Sequence, residues 1–209
     1  MLKKLLNFTQ EISLPFSQQQ AEQLLAYAQC VWNKKEVLNL TSVANFDEII
    51  TRHLCDGLTA AAYLYNTRKS IAALADAGSG CGYIGFALAA AFPHVRLTLI
   101  ESLERRCKFM NWAALQTGFQ NIQVQNIRLG QIPTGPFDAL TERAMGPLEN
   151  ILPLCTTPPR PGGVFIAFQT QLPCPLPACK GVRMLDTKAY TLPEETTTRH
   201  LVVYQKDEK

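Results

Sequence analysis

No apolar run in the 209-residue sequence is long enough to span a bilayer, so nothing in it reads as a transmembrane helix and no membrane association is expected. The start, Met1-Leu-Lys3-Lys4-Leu-Leu-Asn7, is basic and briefly apolar, but its apolar part falls short of a signal-peptide core. The cysteines form no pattern either. There are seven, an odd number, and no Cys-x-x-Cys occurs; Cys174 and Cys179, the closest pair, lie in a proline-rich stretch. That spacing excludes a disulfide framework and a zinc site, and no metal is expected. Reduced thiols in a cytosol are the simplest account, which gives a cytoplasmic expectation. Charge of one sign is also scarce: the net charge is +3 and the pI near 8.5. This balance allows a nucleic-acid partner without demanding one. A phosphate-binding surface has to come from local clusters, of which Lys34-Lys35, Arg52-His53 and Arg105-Arg106 with Lys108 are the candidates. Ordinary solvated helix faces are the competing account of each. Internal repeats and low-complexity tracts are missing too. The remainder, 47% hydrophobic and 18% charged, fits one sizeable core with room for a small extension.

The present elements follow from periodicity. Ser17 and Gln20 stand in the positions of a capping box, ahead of a helix with Leu24, Ala28 and Val31 on one face, ending near Asn33. Leu38-Asn39-Leu40-Thr41 reads as an irregular connection. A second helix starts around Phe46, with the stripe Ile50, Leu54, Leu58, Ala61 and Tyr65, and the polar link Asn66-Thr67-Arg68-Lys69-Ser70 follows it. From Ile71 the pattern alternates. Strands are predicted at Ile71–Asp76, Val95–Glu101, Ile122–Asn126 and Phe137–Thr141, with helices at Ile84–Phe92 and Leu103–Thr117 between the first three. The second of these helices has Leu103, Cys107, Met110 and Ala114 on one stripe. A short helix, Pro147 to Leu154, precedes the turn Pro158-Pro-Arg-Pro-Gly-Gly163, and Val164–Phe168 is a fifth strand. After a proline-rich loop, Leu172 to Pro177, two more strands are expected at Arg183–Leu185 and Arg199–Gln205. Alternation of this kind implies a mostly parallel sheet covered by helices on both faces, here with one antiparallel member at its edge. Residues 1–66 read as an N-terminal helical extension and 67–209 as the α/β core.

The most informative segment is Leu74-Ala-Asp76-Ala-Gly78-Ser-Gly80-Cys-Gly82-Tyr-Ile-Gly85. It reads as strand, tight loop, helix. Its glycines permit positive φ and close approach of a ligand to the backbone. The helix N-terminus beyond them offers unpaired N–H groups, at the strand end where open α/β sheets bind ligands. Gly80-Cys-Gly82-Tyr-Ile-Gly85 fits G-x-G-x-x-G, a weak match for a dinucleotide site on its own. Asp76 argues against a nearby pyrophosphate and favours a cationic ligand group, such as the ammonium or sulfonium of S-adenosylmethionine. Glu101, at the end of the next apolar run, can accept both hydroxyls of a ribose. That role serves NAD and S-adenosylmethionine alike, so Glu101 points to a nucleoside without choosing between them. A solvated strand end is the bland account of either acid.

Further segments carry a resemblance to a known family. Trp32-Asn33-Lys34 with Asn39-Leu40-Thr41 is similar to the pattern W-N-K…N-L-T of the bacterial glucose-inhibited division protein B family, the 16S rRNA guanine-N7 methyltransferases. Arg52-His53-Leu54 with Asp56 and Leu58 resembles its R-H-x-x-D-S-L, with Gly57 in place of Ser. Asp76-Ala-Gly78-Ser-Gly80-Cys-Gly82 resembles D-x-G-[TS]-G-x-G. Glu101-Ser102 with Arg105-Arg106 and Phe109 resembles [DE]-S-x-x-K-R-x-x-F-L. Phe137-Asp138 with Arg143-Ala144 and Pro147-Leu148, and Arg199-His200-Leu-Val-Val203, resemble the family's F-D…R-A…L and its closing strand. The glycine loop is shared by many methyltransferases; the first two patterns are the particular ones.

The resemblance implies a Rossmann-like class I S-adenosylmethionine-dependent methyltransferase: a mostly parallel seven-stranded sheet with the helical extension, a monomer acting on 16S rRNA of the small ribosomal subunit. It implies that Gly78, Gly80 and Gly82 shape the cofactor loop and that Asp76 orients the methionine end through water or backbone amides. Tyr83 would pack the loop against the cofactor, Glu101 would hold the ribose, and Leu129 and Gly130 would meet the adenine through main-chain groups. Arg143 would sit at the cofactor and target pocket, the one weak candidate for a catalytic role; a structural ion pair with Glu142 or Asp138 is its competing role. Lys34, Lys35, Arg52, His53 and Arg199 would face the RNA, His53 through packing or contact rather than proton transfer. Trp32 reads as an anchor of the N-terminal helices rather than a stacking platform. Departures occur at Ile84 (family Pro), Arg128-Leu129-Gly130 (family R-A-E), Gln169-Thr170 (family K-G) and Glu142 (family small polar). Two of them, Arg128-Leu129-Gly130 and Gln169-Thr170, motivate a second reading, a non-catalytic RNA-binding or ribosome-assembly relative. A nicotinamide-dependent oxidoreductase is a third, opposed by Asp76 and by the lack of a second catalytic motif.

Overall fold

Short runs of Ala, Leu, Val and Ile make the strands, and they assemble in the computed structural model into one seven-stranded sheet. Residues 1–67, 70–131 and 134–208 are described; Arg68 and Lys69 of the expected polar link lie outside the described residues. The strands are β1 (Ala73–Ala77), β2 (Arg96–Glu101), β3 (Ile122–Asn126), β4 (Phe137–Arg143), β5 (Pro159–Gln169), β6 (Val182–Tyr190) and β7 (Arg199–Lys206). Their order is β3-β2-β1-β4-β5-β7-β6. The first five pair in parallel, and β7 runs antiparallel to both β5 and β6.

The antiparallel strand thus lies one place in from the edge, where the sequence reading had it at the edge itself. Burial explains the order. Leu201, Val202, Val203 and Tyr204 of β7 are buried on both faces, whereas Arg183 through Ala189 of β6 are exposed, so the polar strand takes the rim. β6 and β5 are also longer than predicted. The segment Pro159 to Gly163 joins β5, accommodated by a register shift opposite Phe137 and Ala139.

Helices α5 (Tyr83–Ala91) and α6 (Glu104–Thr117) connect β1 to β2 and β2 to β3, and α7 (Leu148–Cys155) connects β4 to β5. Leu103 caps α6 and is exposed, so it is no part of the buried stripe that continues through Cys107, Met110 and Ala114. The N-terminal part is α1 (Leu2–Glu11), α2 (Gln18–Lys34), α3 (Phe46–Glu48) and α4 (Cys55–Thr67). The first of these, α1, was not expected; Leu5 and Phe8, three residues apart, bury its inner face. The capping box of α2 is present, with Ser17 N–H donating to Gln20 Oε1 at 2.7 Å and Gln20 N–H to Ser17 Oγ at 3.2 Å.

Between α3 and α4 the helix widens into a π turn, Ile49–Leu54, a local irregularity that recurs at functional sites. Every residue from Cys55 to Leu64 is buried, so α4 has no single apolar stripe, and Tyr65, predicted on that stripe, is exposed. Leu5, Tyr27, Leu58, Phe86 and Leu97 belong to one apolar cluster, so the N-terminal helices share the core of the sheet. The crossing of α4 over α5 is tight. A Cβ at Gly57 would lie 2.5 Å from Ala87 Cβ and 3.2 Å from the Ile84 backbone, which accounts for glycine where the related pattern has serine. Gly57→Ser is therefore expected to lower stability by about 1–3 kcal/mol, read as a drop in urea midpoint at unchanged slope.

Candidate active site

The strand order reverses between β1 and β4, and a ligand crevice belongs at the carboxyl ends of those strands. Asp76 closes β1 there. It is buried, and its Oδ1 accepts the Thr141 hydroxyl of β4 at 2.9 Å. Its Oδ2 is buried against the backbone of Gly85 in the first turn of the helix that follows the loop. Burial pushes the Asp76 carboxyl up to about 6, opposed by the hydroxyls of Thr141 and Ser79 and by the charge of Arg143.

Beyond Asp76 the loop folds on itself. Gly78, Gly80 and Gly82 have φ of +61°, +61° and +100°, the left-handed region that favours glycine. Ser79 Oγ donates to the Asp76 carbonyl at 2.7 Å, and Gly80 N–H donates to Glu101 Oε2 at 2.9 Å. From behind, the Tyr27 hydroxyl of α2 donates to the Cys81 carbonyl at 2.8 Å, while its ring stacks on Phe86 with centroids 3.9 Å apart. A cavity of about 320 Å³ opens over this loop, lined by Leu40, Thr41, Asp76, Tyr83, Arg106 and Arg143 together with Gly78 and Gly80. Space above Gly80 is open, since a Cβ there would meet nothing within 4 Å. A buried carboxylate at the strand end, beside an open glycine backbone, suits a ligand with a cationic group, and S-adenosylmethionine fits that donor set.

A second cavity, about 610 Å³, adjoins the first, and His53, Arg143 and Ala144 line both. Its walls carry Arg52, Arg199, Gln169 and Thr170. Asp56 organises it. This carboxylate is fully buried and accepts Arg143 Nη1 at 2.8 Å, Arg199 Nη1 at 3.3 Å and the Tyr190 hydroxyl at 2.8 Å. Glu195 extends the chain of charges, pairing with Arg199 at 2.9 Å and with Arg52 at 2.8 Å. Arg143 therefore has an ion-pair partner, but it is Asp56 rather than Glu142 or Asp138. Asp138 instead pairs with Arg160 and caps the Ala72 and Ala73 N–H groups. Glu142 lies buried, and its Oε1 accepts the Met145 N–H. That bond braces the turn at Ala144, whose φ is +65°. Burial lifts the Glu142 carboxyl to about 7.

His53 stacks on Tyr83, centroids 4.4 Å apart and rings 9° from parallel, with the Arg143 guanidinium 5.9 Å from the Tyr83 centroid. Burial, and then the positive charges of Arg143, Arg52 and Arg199, push the imidazole down to about 3. It is neutral at physiological pH and carries no charge to offer a phosphate.

The structure thus gathers Asp76, Gly78, Gly80, Tyr83 and Arg143 at one cavity and Arg52, His53, Arg143 and Arg199 at its neighbour. Gly82 caps α5 beneath the loop. Glu101 braces the loop, its Oε1 accepting the Leu103 N–H at 2.8 Å while Oε2 holds Gly80. Leu129 is packed in the apolar cluster under α7, and a Cβ on Gly130 would press on Leu154; neither lines the glycine-loop cavity. Lys34 and Lys35 stand apart from the arginines. Lys35 donates to the Val43 carbonyl at 3.0 Å and lies 4.1 Å over Trp32, which in turn packs edge-on against Phe46. Sequence reasoning gave no role to Asp56, Tyr190, Glu195 or Tyr27. Only Asp56 had a signal, its place four residues after Arg52 in the R-H-x-x-D pattern.

This sheet order, with a glycine loop after β1 and an acid ending β2, defines the class I methyltransferase fold. A Synechocystis magnesium protoporphyrin IX methyltransferase with bound SAM matches at a TM-score of 0.61 and 12% identity, over 84% of this chain and 91% of that one. A SAM-dependent O-methyltransferase from Thermotoga maritima matches at a TM-score of 0.56 and 16% identity, over 87% of this chain and 71% of that one. The family model described as GidB, rRNA small subunit methyltransferase G, matches residues 20–175, and the chain belongs to this family. It is 32% identical to a ribosomal RNA small subunit methyltransferase G from Aromatoleum aromaticum, over 94% of this chain and 95% of that protein. To one from Cellvibrio japonicus it is 29% identical, over 99% of this chain and 95% of that protein.

Two outcomes follow from the buried acids. Asp56→Asn leaves two guanidinium groups without their carboxylate and is expected to cost about 3 kcal/mol of stability, measured by chemical denaturation. Asp76 behaves oppositely. Its raised pKa means that stability present below the pH at which an unfolded aspartate ionises is lost as pH rises through about 6. Asp76→Asn keeps an acceptor for Thr141 and is expected to be more stable than the parent by roughly 1–3 kcal/mol at pH 7. The gap narrows towards pH 4, and urea titrations across that range measure it.

Proposed function

We propose that the protein transfers a methyl group from S-adenosylmethionine to N7 of a guanine in 16S rRNA of the small ribosomal subunit. One observation carries this reading: the glycine-loop cavity with its buried acid and the arginine-lined cavity meet at Arg143 and His53. A methyl donor on one side and a nucleotide on the other would share that junction. Membership of the rRNA small subunit methyltransferase G family supports it.

Asp76, the glycine loop and Tyr83 would hold the cofactor, with Glu101 bracing the loop toward its ribose, and the cofactor supplies a methyl group activated on a sulfonium sulfur. Guanine N7 already has a free lone pair and loses no proton on attack, so the site needs no general base. The residues at the junction agree with that. His53 is held neutral, and Arg143 is paired with Asp56. Their task is orientation: the Tyr83–His53 stack and the Asp56–Arg143 pair form a stiff wall against which a base can be placed in line with the donor. Arg52 and Arg199 would meet flanking phosphates, giving an affinity that falls with salt. The carrier of RNA specificity is not expected to be His53.

Transfer of a radiolabelled methyl group to small subunits lacking the modification tests this reading. The parent protein is expected to label them, and Asp76→Ala and Arg143→Ala to label them on the order of a hundredfold more slowly. Equal labelling by all three sinks the site assignment. No heat with S-adenosylmethionine at high micromolar concentration favours instead a non-catalytic RNA-binding relative.

A further inference from the structure

Outside the two cavities, α6 presents an aromatic surface that packing does not use. Trp112 is 36% exposed and Leu115 81% exposed on its outer side. Trp112 leans on buried Phe109, centroids 5.9 Å apart, and with Val37 and Leu38 it walls a groove of about 370 Å³. The remaining walls are cationic: Lys34 from the end of α2, and Arg105 and Lys108 from the first turns of α6. Lys34 Nζ sits 5.6 Å from the Trp112 centroid. Lys108 pairs with Glu104 at 2.7 Å, and among the described residues Lys34 and Arg105 show no ion pair.

We propose that this groove binds unpaired RNA, a base stacking on Trp112 while Lys34, Arg105 and Lys108 meet the neighbouring phosphates. The proposal rests on the reading of RNA as substrate. Three arguments select this occupant. An exposed indole ringed by lysine and arginine is the combination that single strands use, because every base has a face to stack and every linkage a charge to neutralise. A protein partner is a poorer match, since interface centres are depleted in lysine. Finally, the groove runs beside the active site. Leu38 lines the groove while Leu40 and Thr41 line the glycine-loop cavity, and Arg105 faces the groove while Arg106 faces the cavity. A strand held on Trp112 is therefore anchored on the same two chain segments that wall the glycine-loop cavity. Lysine over an exposed ring contributes little to stability, so Lys34 can give up the indole face to a base and turn to a phosphate.

The test uses the full chain and a labelled single-stranded oligoribonucleotide of about 12 nucleotides, with binding read by anisotropy. Trp112→Ala is expected to bind about tenfold more weakly, while Trp112→Phe stays within about threefold of the parent. Stacking is also expected to quench indole emission in the parent, and the quench to vanish in Trp112→Phe, where Trp32 alone remains. Oligonucleotide affinity unchanged in Trp112→Ala overturns the proposal, as does a quench that persists in Trp112→Phe. If Trp112→Ala keeps its affinity for the oligonucleotide but loses it for small subunits, the groove docks a protein and the proposal also fails. A parent protein that binds neither RNA nor small subunits brings down the substrate reading itself, a result distinct from either of these.

Discussion

A single carboxylate with no access to water ties the N-terminal helices to the far half of the sheet. Asp56 sits one helical turn past Arg52, at the start of α4, and its partners come from β4, β6 and β7. Burying that charge is tolerable only because two guanidinium groups and a phenol surround it. The arrangement works in both directions. Arg143 and Arg199 are long side chains that would otherwise range over solvent, and Asp56 fixes where their heads lie. The wall between the two cavities is thus set from the helical extension, not from the sheet alone. This gives a physical reason for the extension to share the core cluster of the α/β layers rather than ride on them.

Asp76 represents the opposite bargain. It is paired on one oxygen with Thr141 and packed on the other against the Gly85 backbone, without a cationic partner and at a raised pKa, where a strand end meets a glycine loop. Structural needs alone would put an uncharged residue there. The loop around it is over-determined: the Tyr27 hydroxyl holds Cys81, Glu101 holds Gly80, and Ser79 bonds back to the Asp76 carbonyl. A buried acid persists at this position because so many neighbours enforce the geometry.

Much of this was legible in the chain itself. Asp76 and the glycines announce the loop because glycine takes those φ values without strain and because an acid at a strand end has few structural uses. The first two strands are readable as unbroken apolar runs. Other features depend on distance in sequence. Tyr190 reaches Asp56 across 134 residues, and Glu195 reaches Arg52 across 143, so no local pattern marks either. The place of β7 inside β6 depends on which of two late strands is more apolar on both faces, a comparison between segments rather than a property of one. The helix α1 is short and amphipathic, and its start resembles a basic leader as much as a helix. The π turn around His53 leaves no trace in apolar spacing beyond a stripe that fails at Tyr65.

Charge in the arginine-lined cavity is nearly cancelled from within. Arg52, Arg143 and Arg199 face Asp56, Glu48 and Glu195, and the end of β5 contributes the uncharged Gln169 and Thr170. A phosphate entering this cavity must therefore compete with Glu195 for two of its three arginines. Such a site orients a nucleotide better than it captures a polyanion. The net charge of the whole chain, +3, leaves little long-range attraction to make up the difference. Lys34 and Arg105, with no carboxylate partner among the described residues, supply the uncancelled charge, and Trp112 lies between them. Orientation at the junction and capture along α6 are then separate tasks, which is what a site with tempered arginines requires.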